Sequence, residues 1–207
     1  MATPVVVAGP SGVNVTLDLD DPKALEAYKA RIATPVPAVP VRLDLGCGKA
    51  KKEGFTGVDS IPFPGVDVVT DLGSGTWPWA DASVDEVHCS HMIEHLTWPQ
   101  RVHFFNELHR VMKPGAKAQI ILPHWNSSRY YGDPTHKEPF SEFAWFYLKK
   151  EWRDVNAPHV GYTCDFDVSY GFSLHPALTG RSQEYVNHAM TWYKEACQDM
   201  IATAVKR

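Results

Sequence analysis

Two stretches of this chain carry residue types whose spacing can do chemistry. The first is Leu45-Gly46-Cys47-Gly48, followed by an acid at Asp59. Glycines without β-carbons let the backbone turn sharply and let a ligand lie against bare peptide N–H groups. An acid at the carboxyl end of the next strand is placed to hold the two hydroxyls of a ribose. Together they imply a nucleoside ligand. The second stretch is Ser90-His91-Met92-Ile93-Glu94-His95-Leu96. Imidazoles with an ordinary pKa near 6.5, set beside a carboxylate, can move protons or ligate a metal.

What positions these groups is a strand alternation. Val41, Leu43 and Leu45 alternate with polar residues into the glycine bend, and Phe55 to Val58 predicts the strand that delivers Asp59. A dinucleotide site would need a third glycine where Lys49-Ala50-Lys51 stands, and no G-x-x-x-x-G-K-[ST] loop occurs. The nucleoside therefore lacks a phosphate chain. The short lysine-bearing link from Gly48 to Gly54 leaves room for only a turn or two of helix. A third strand runs over Val66 to Thr70 and ends at Asp71-Leu72, and a fourth over Val84 to Cys89. A helix starts at Thr97 and Pro99 and reaches Met112, with Val102, Phe105, Leu108 and Met112 at helical spacing. Lys113-Pro114-Gly115 stops it, and Lys117 to Leu122 makes a buried fifth strand.

These motifs, in this order, resemble the class I S-adenosylmethionine-dependent methyltransferases of the small methyltransferase-11-like type. Leu43-Asp44-Leu45-Gly46-Cys47-Gly48 matches motif I, and Asp59 is the acid that ends the next strand. Asp71-Leu72 stands where the family meets the adenine ring, and Trp77-Pro78-Trp79 with Asp81 and Ser83 resembles its "LPF-x-D-x-S-F-D" segment. His91 to Leu96 coincides with an "H-x-x-E-H-L" loop, and Glu107 to Gly115 resembles "E-x-x-R-V-L-K-P-G-G". The resemblance covers about Val41 to Leu122. It implies a Rossmann-like α/β fold, doubly wound, with a mostly parallel seven-stranded sheet and an antiparallel last strand. It also implies S-adenosyl-L-methionine as cofactor, held by Asp44, Leu45, Gly46, Cys47, Gly48, Asp59, Ser60, Asp71, Leu72, Ser90 and His91. Read as residues alone, Asp71 has the lesser alternative of capping a strand end, both tryptophans equally fill a core, and Glu94 and His95 equally pair within their turn.

H-x-x-E-H is also the inverted zinc-protease signature. Its placement directly after a strand and before Pro99 favours the methyltransferase loop, and no metal is expected. Substrate choice falls to an insertion of about 123–180, because loops beyond the carboxyl ends of the strands build the site. That segment carries His124, Trp125, Asn126, Arg129, Tyr130, Tyr131 and His136. A base for the acceptor's proton is expected among His91, His95, His124 and His136, with His124 and His136 foremost because they lie in the variable loop. Ser141 to Lys150 and Ser182 to Gln198 predict helices, Cys164 to Phe172 a strand and Met200 to Val205 the last strand.

Residues 1–40 form an extension ahead of the domain at 41–207. Val5 to Val7 predicts a short strand, Gly9 to Gly12 a turn, and Asp20-Asp21-Pro22 the start of a helix to about Ile32. Pro35, Pro37 and Pro40 make a stiff linker. With 207 residues, 44% of them hydrophobic, the chain can bury a sizeable core. Its net charge of −4 gives no basic field for a polyanion, so nucleic acid is not favoured. The chain also lacks [DNS]-P-P-[YFW] and a Pro-Cys nucleophile at the fourth strand's end, although Cys89 occupies that place. No apolar run is long enough to span a bilayer and no leader stands at the start, so a cytoplasmic location is expected. The four cysteines show no C-x-x-C spacing and read as reduced thiols. The expected activity is methyl transfer to an oxygen or nitrogen of a small-molecule acceptor. The alternatives are a nucleic-acid or modified-nucleotide acceptor, or a regulatory protein that binds the cofactor without turnover.

Overall fold

A computed structural model describes residues 5–8, 14–17, 21–23, 26 and 39–207. The chain divides into two compact units, Met1–Val39 and Pro40–Arg207. In the first, β1 (Val5–Ala8) pairs antiparallel with β2 (Asn14–Leu17), from Val5 opposite Leu17 to Ala8 opposite Asn14. The sequence pattern marks β1 but not β2, whose alternating Asn-Val-Thr-Leu is too short to stand out. Asp21 Oδ1 accepts from Lys23 N at 2.9 Å, as at a helix start. The expected turn at Gly9 to Gly12, the helix toward Ile32 and the linker prolines 35 and 37 lie outside the described residues.

The second unit is an α/β domain on one seven-stranded sheet. Its strands are β3 (Arg42–Leu45), β4 (Thr56–Asp59), β5 (Val68–Val69), β6 (Val84–Ser90), β7 (Met112–Pro123), β8 (Phe166–Leu174) and β9 (Cys197–Lys206). They lie in the order β5-β4-β3-β6-β7-β9-β8. The β5-β4, β4-β3, β3-β6 and β6-β7 pairs are parallel, whereas β9 is antiparallel to both its neighbours. The strand order reverses between β3 and β6, and a doubly wound sheet opens a ligand crevice at the carboxyl ends of the strands on either side of such a reversal. Leu43, Leu45, Val58, Val87, Cys89, Ile120 and Leu122 are buried and, by the strand register, share one face of this central part, so the core lies against that face.

Helix α1 (Trp98–Val111) is held at its start by a capping box, in which Gln100 Oε1 accepts from Thr97 N at 2.9 Å. It buries Arg101, Phe104, Phe105, Leu108 and Val111. This stripe includes Arg101, which helical spacing from Phe104, Phe105 and Leu108 places on the buried face although its charge suits the polar one. Between β3 and β4 there are only turns, as the short Gly48–Gly54 link predicts. The chain then forms α2 (Ser128–Tyr131), a 3₁₀ segment Glu142–Leu148, α3 (Lys150–Asn156) and α4 (Gln183–Trp192).

Several boundaries differ from the sequence expectation. β5 has two residues, since only Val68 and Val69 find partners on β4. The expected helix over 141–150 is 3₁₀ followed by α3. The expected helix to Gln198 stops at Trp192, because Cys197 and Asp199 are claimed by β9, paired with Leu174 and Ser173 of β8 on one side. Among the described residues no helix is long and apolar enough to cross a membrane.

Candidate functional site

The glycine bend leaves β3 with Gly46 at φ +73° and Gly48 at φ +52°, the left-handed region that favours glycine. Val58 O accepts from Gly46 N at 2.8 Å and from Cys47 N at 3.1 Å, which ties the bend to β4. A β-carbon on Gly46 would lie 2.3 Å from Met92 Cγ, whereas one on Gly48 would meet nothing within 4 Å. Gly46 is therefore set by close approach and Gly48 by its backbone angle.

At the end of β4, Asp59 Oδ2 accepts from Gly48 N and Oδ1 from Ile61 N, each at 2.9 Å. One N–H on each oxygen fixes the carboxylate's orientation and leaves each oxygen a further acceptor position. That is the donor set a vicinal diol needs. Asp71 is held in the same manner, with Oδ1 accepting from Gly73 N at 2.8 Å and Oδ2 from Ser74 Oγ at 2.6 Å. The Ser74 hydroxyl, and then the Gly73 N–H, keep its carboxyl below the usual carboxylate range.

These groups meet in one cleft of about 490 Å³. It is lined by Gly46, Gly48, Asp59, Ser60, Asp71, Leu72 and His91, together with Ile61, Phe63, Met92, His95, Leu96 and Gln100. Asp44, Leu45, Cys47 and Ser90 are not among the lining residues. The Asp44 carboxylate is buried and taken, by Lys52 N at 2.7 Å and by His88 Nδ1 at 2.7 Å. It fastens the loop after the bend. Leu45 is core, and burial pushes the Cys47 thiol up. Cys89 is fully buried and its thiol is pushed well up for the same reason, which is no state for a nucleophile. Trp77 is core as well, 2% exposed. Sequence reasoning missed Ile61, Phe63, Met92 and Gln100. Met92 was findable in principle, since a glycine fixed by close approach implies something packed against it.

On the far side of the cleft, His91 follows β6 at φ +52°, a conformation an L-residue adopts at a cost of about 1–2 kcal/mol. Its N–H donates to Ile121 O at 2.8 Å. His91 Nδ1 lies 3.4 Å from Glu94 Oε1, close enough for the carboxylate to raise the imidazole's pKa against the effect of burial. The 3.4 Å separation is too long for a well-formed hydrogen bond. Glu94 is 1% exposed, and neither of its side-chain oxygens has a hydrogen-bond partner.

The segment after β7 folds back onto this turn. Glu94 O accepts from Lys137 N at 2.9 Å. The buried Arg101 guanidinium donates from Nε to Ile93 O at 3.0 Å and to the carbonyl oxygens of Glu138 and Pro139. This brings His136 beside His95, with ring centroids 4.8 Å apart. His124 lies elsewhere. It is 3% exposed, with Nε2 2.9 Å from Glu142 Oε1 and Nδ1 accepting from Asn126 N at 3.2 Å. With Nδ1 accepting, Nε2 carries the proton and donates to Glu142, so neither nitrogen is free to act as a base.

The His124 hydrogen bond is the main cause that holds the Glu142 carboxyl below its ordinary value of 4.5. A depressed carboxyl contributes stability that is present above its unfolded pKa and is lost as pH falls through the folded one. Glu142→Gln is therefore expected to lower the melting temperature at pH 7 and to converge with the parent as the buffer is taken below about pH 4. Thermal melts across that range check it, and a gap that does not change with pH contradicts it.

Residues 49–120 match the family model of a methyltransferase domain. Solved structures share the fold. A SAM-dependent methyltransferase from Archaeoglobus fulgidus is 22% identical over 89% of this chain and 94% of its own, with a TM-score of 0.58. A SAM-dependent methyltransferase from Methanosarcina mazei is 16% identical over 84% and 96%, with a TM-score of 0.51. A third, from Mesorhizobium loti, is 12% identical over 83% and 94%, with a TM-score of 0.50. No curated protein sequence matches the chain.

Proposed function

We propose that this chain is an S-adenosylmethionine-dependent methyltransferase, a reading that its matched methyltransferase domain and its fold support, and that it acts on an oxygen or nitrogen of a small-molecule acceptor. What supports the acceptor class is what the cleft's lining leaves over once Asp59 and Asp71 serve the cofactor: the imidazoles of His91 and His95, and no lysine or arginine. A nucleic-acid site needs cations for the phosphates, and this lining offers no lysine or arginine.

The residues fit the cofactor. The Asp59 carboxylate, oriented by Gly48 N and Ile61 N, is the acceptor pair for the ribose hydroxyls. Asp71 with Leu72 offers the adenine an acceptor and an apolar surface, and Met92 and Gly46 close the floor where only a bare peptide fits. When bound, S-adenosylmethionine supplies an electrophilic methyl on a sulfonium with an excellent leaving group. The chain then has to align the acceptor and take its proton. His91 and His95 are the histidines that line the cleft, and His136 stands behind His95.

His95→Ala is expected to lower turnover by about 100-fold or more while cofactor affinity stays within about twofold. The measurement is a methyl-transfer screen over hydroxyl and amine acceptors, nucleosides and RNA, run with calorimetric cofactor titration. Undiminished turnover in the variant rejects the role of His95, and transfer to RNA above every small acceptor rejects the acceptor class.

A further inference from the structure

We propose that Glu94, His95 and His136 bind a divalent first-row transition-metal ion at the acceptor end of the cleft. The carboxylate and the two imidazoles each offer a donor atom, and the three donor atoms lie within 4.8 Å of one another. Bonds of about 2.1 Å set neighbouring donors roughly 3–3.5 Å apart, so the cluster draws in modestly on binding.

The Glu94 carboxylate is the independent sign. A carboxylate 1% exposed with neither oxygen hydrogen-bonded is costly to keep, and a cation is what such a group lacks. His91, 3.4 Å from Oε1, relieves part of that cost and leaves Oε2 without a partner.

Both imidazoles are prepared by their outer partners. His136 Nδ1 is 2.6 Å from Tyr130 O, a pure acceptor, so Nδ1 carries the proton and Nε2 the lone pair. Thr135 Oγ1 gives its only proton to Asp133 Oδ1 at 2.6 Å, so at 3.0 Å it accepts from His95 Nδ1. Each ring is left one lone-pair nitrogen, with its tautomer fixed as in metal-ligating histidines. Arg101, bonded to carbonyls on both segments, is the positioning residue that holds His136 against the Glu94 turn.

Two nitrogens and one carboxylate suit Zn²⁺, Mn²⁺, Fe²⁺ or Co²⁺, whereas Mg²⁺ and Ca²⁺ prefer all-oxygen shells. Three protein ligands leave coordination positions open. With the ion bound the His95 lone pair is a ligand and no longer a base, so an acceptor hydroxyl on an open position gives its proton to water or to His91, which would favour hydroxyl over amine acceptors. Only this last consequence rests on the methyl-transfer reading; the binding of the ion does not.

The test uses the full chain stripped with a chelator. Calorimetry with Zn²⁺ and Mn²⁺ and visible spectra with Co²⁺ should show one ion per chain, with Mg²⁺ and Ca²⁺ failing to compete. His136→Ala should weaken binding by about tenfold or more. Glu94→Gln, which keeps the side chain's shape, should do the same and serves if His136→Ala fails to fold. Wild-type uptake no greater than that of His95→Ala/His136→Ala, or equal affinity in the single variants, overturns the site. S-adenosylmethionine titrated into the same samples separates the two readings. Cofactor uptake without ion binding sinks the metal site alone, and ion binding without cofactor uptake sinks the methyltransferase reading alone.

Discussion

Asp59→Ala is expected to cost the protein its cofactor. The carboxylate offers one acceptor position on each oxygen after Gly48 N and Ile61 N are served, and a ribose diol would fill both. Hydrogen bonds to a charged acceptor contribute about 1.5–3 kcal/mol each, so losing two means about 3 kcal/mol or more, on the order of a 100-fold weaker affinity. The apo protein should change little, because Asp59 is half-buried and the freed N–H groups turn to water. Ligand-induced stabilisation reads this directly. Saturating S-adenosylhomocysteine should raise the melting temperature of the parent and leave that of the variant nearly unmoved. Equal shifts in both would mean that the diol is held elsewhere.

The second large effect belongs to Gly46. Its φ of +73° strains any side chain, and a β-carbon would sit 2.3 Å from Met92 Cγ and 2.5 Å from Met92 Cβ. The Cβ of Met92 cannot move without its backbone, so the turn after β6 must shift. Backbone strain of about 1–2 kcal/mol and the overlap together point to about 3 kcal/mol or more, roughly 6–12 °C in melting temperature for a chain of this size. Gly48→Ala, at φ +52° in open space, should cost only the strain term, about 1 kcal/mol. Adding Met92→Ala to Gly46→Ala should recover part of the loss, as coupled neighbours do. Equal melting temperatures for the two single variants would show that the approach of Met92 is not what fixes the glycine.

Much of this was legible in the chain because it is local. The alternation into Gly46 and Gly48, the acid after β4 and the capped start of α1 are each fixed within a few residues, and the mostly parallel seven-stranded sheet with an antiparallel last strand followed from the motif resemblance. What escaped depends on contacts distant in sequence. His124 looked as good a base as His136, and its bonds to the Glu142 side chain and to Asn126 N engage both ring nitrogens. His136 comes to Glu94 because Arg101, a charged side chain buried on the apolar face of α1, grips carbonyls on both sides. Asp44 sits inside the motif yet spends its carboxylate on Lys52 N and His88, a role no pattern of spacing distinguishes from cofactor contact. Cys197, at helical spacing from Tyr193, belongs to β9, because its pairing with Leu174 of β8 outweighs the local helical pattern.

The central claim is that the bare peptides at Gly46 and Gly48, with the Asp59 carboxylate set against them, receive an adenosyl group. Calorimetric titration of the unmodified chain with S-adenosylmethionine tests it most directly. The account predicts one site per chain with a dissociation constant in the range of about 1–100 μM and enthalpy lost on Asp59→Ala. Absence of saturable heat at millimolar ligand would contradict it.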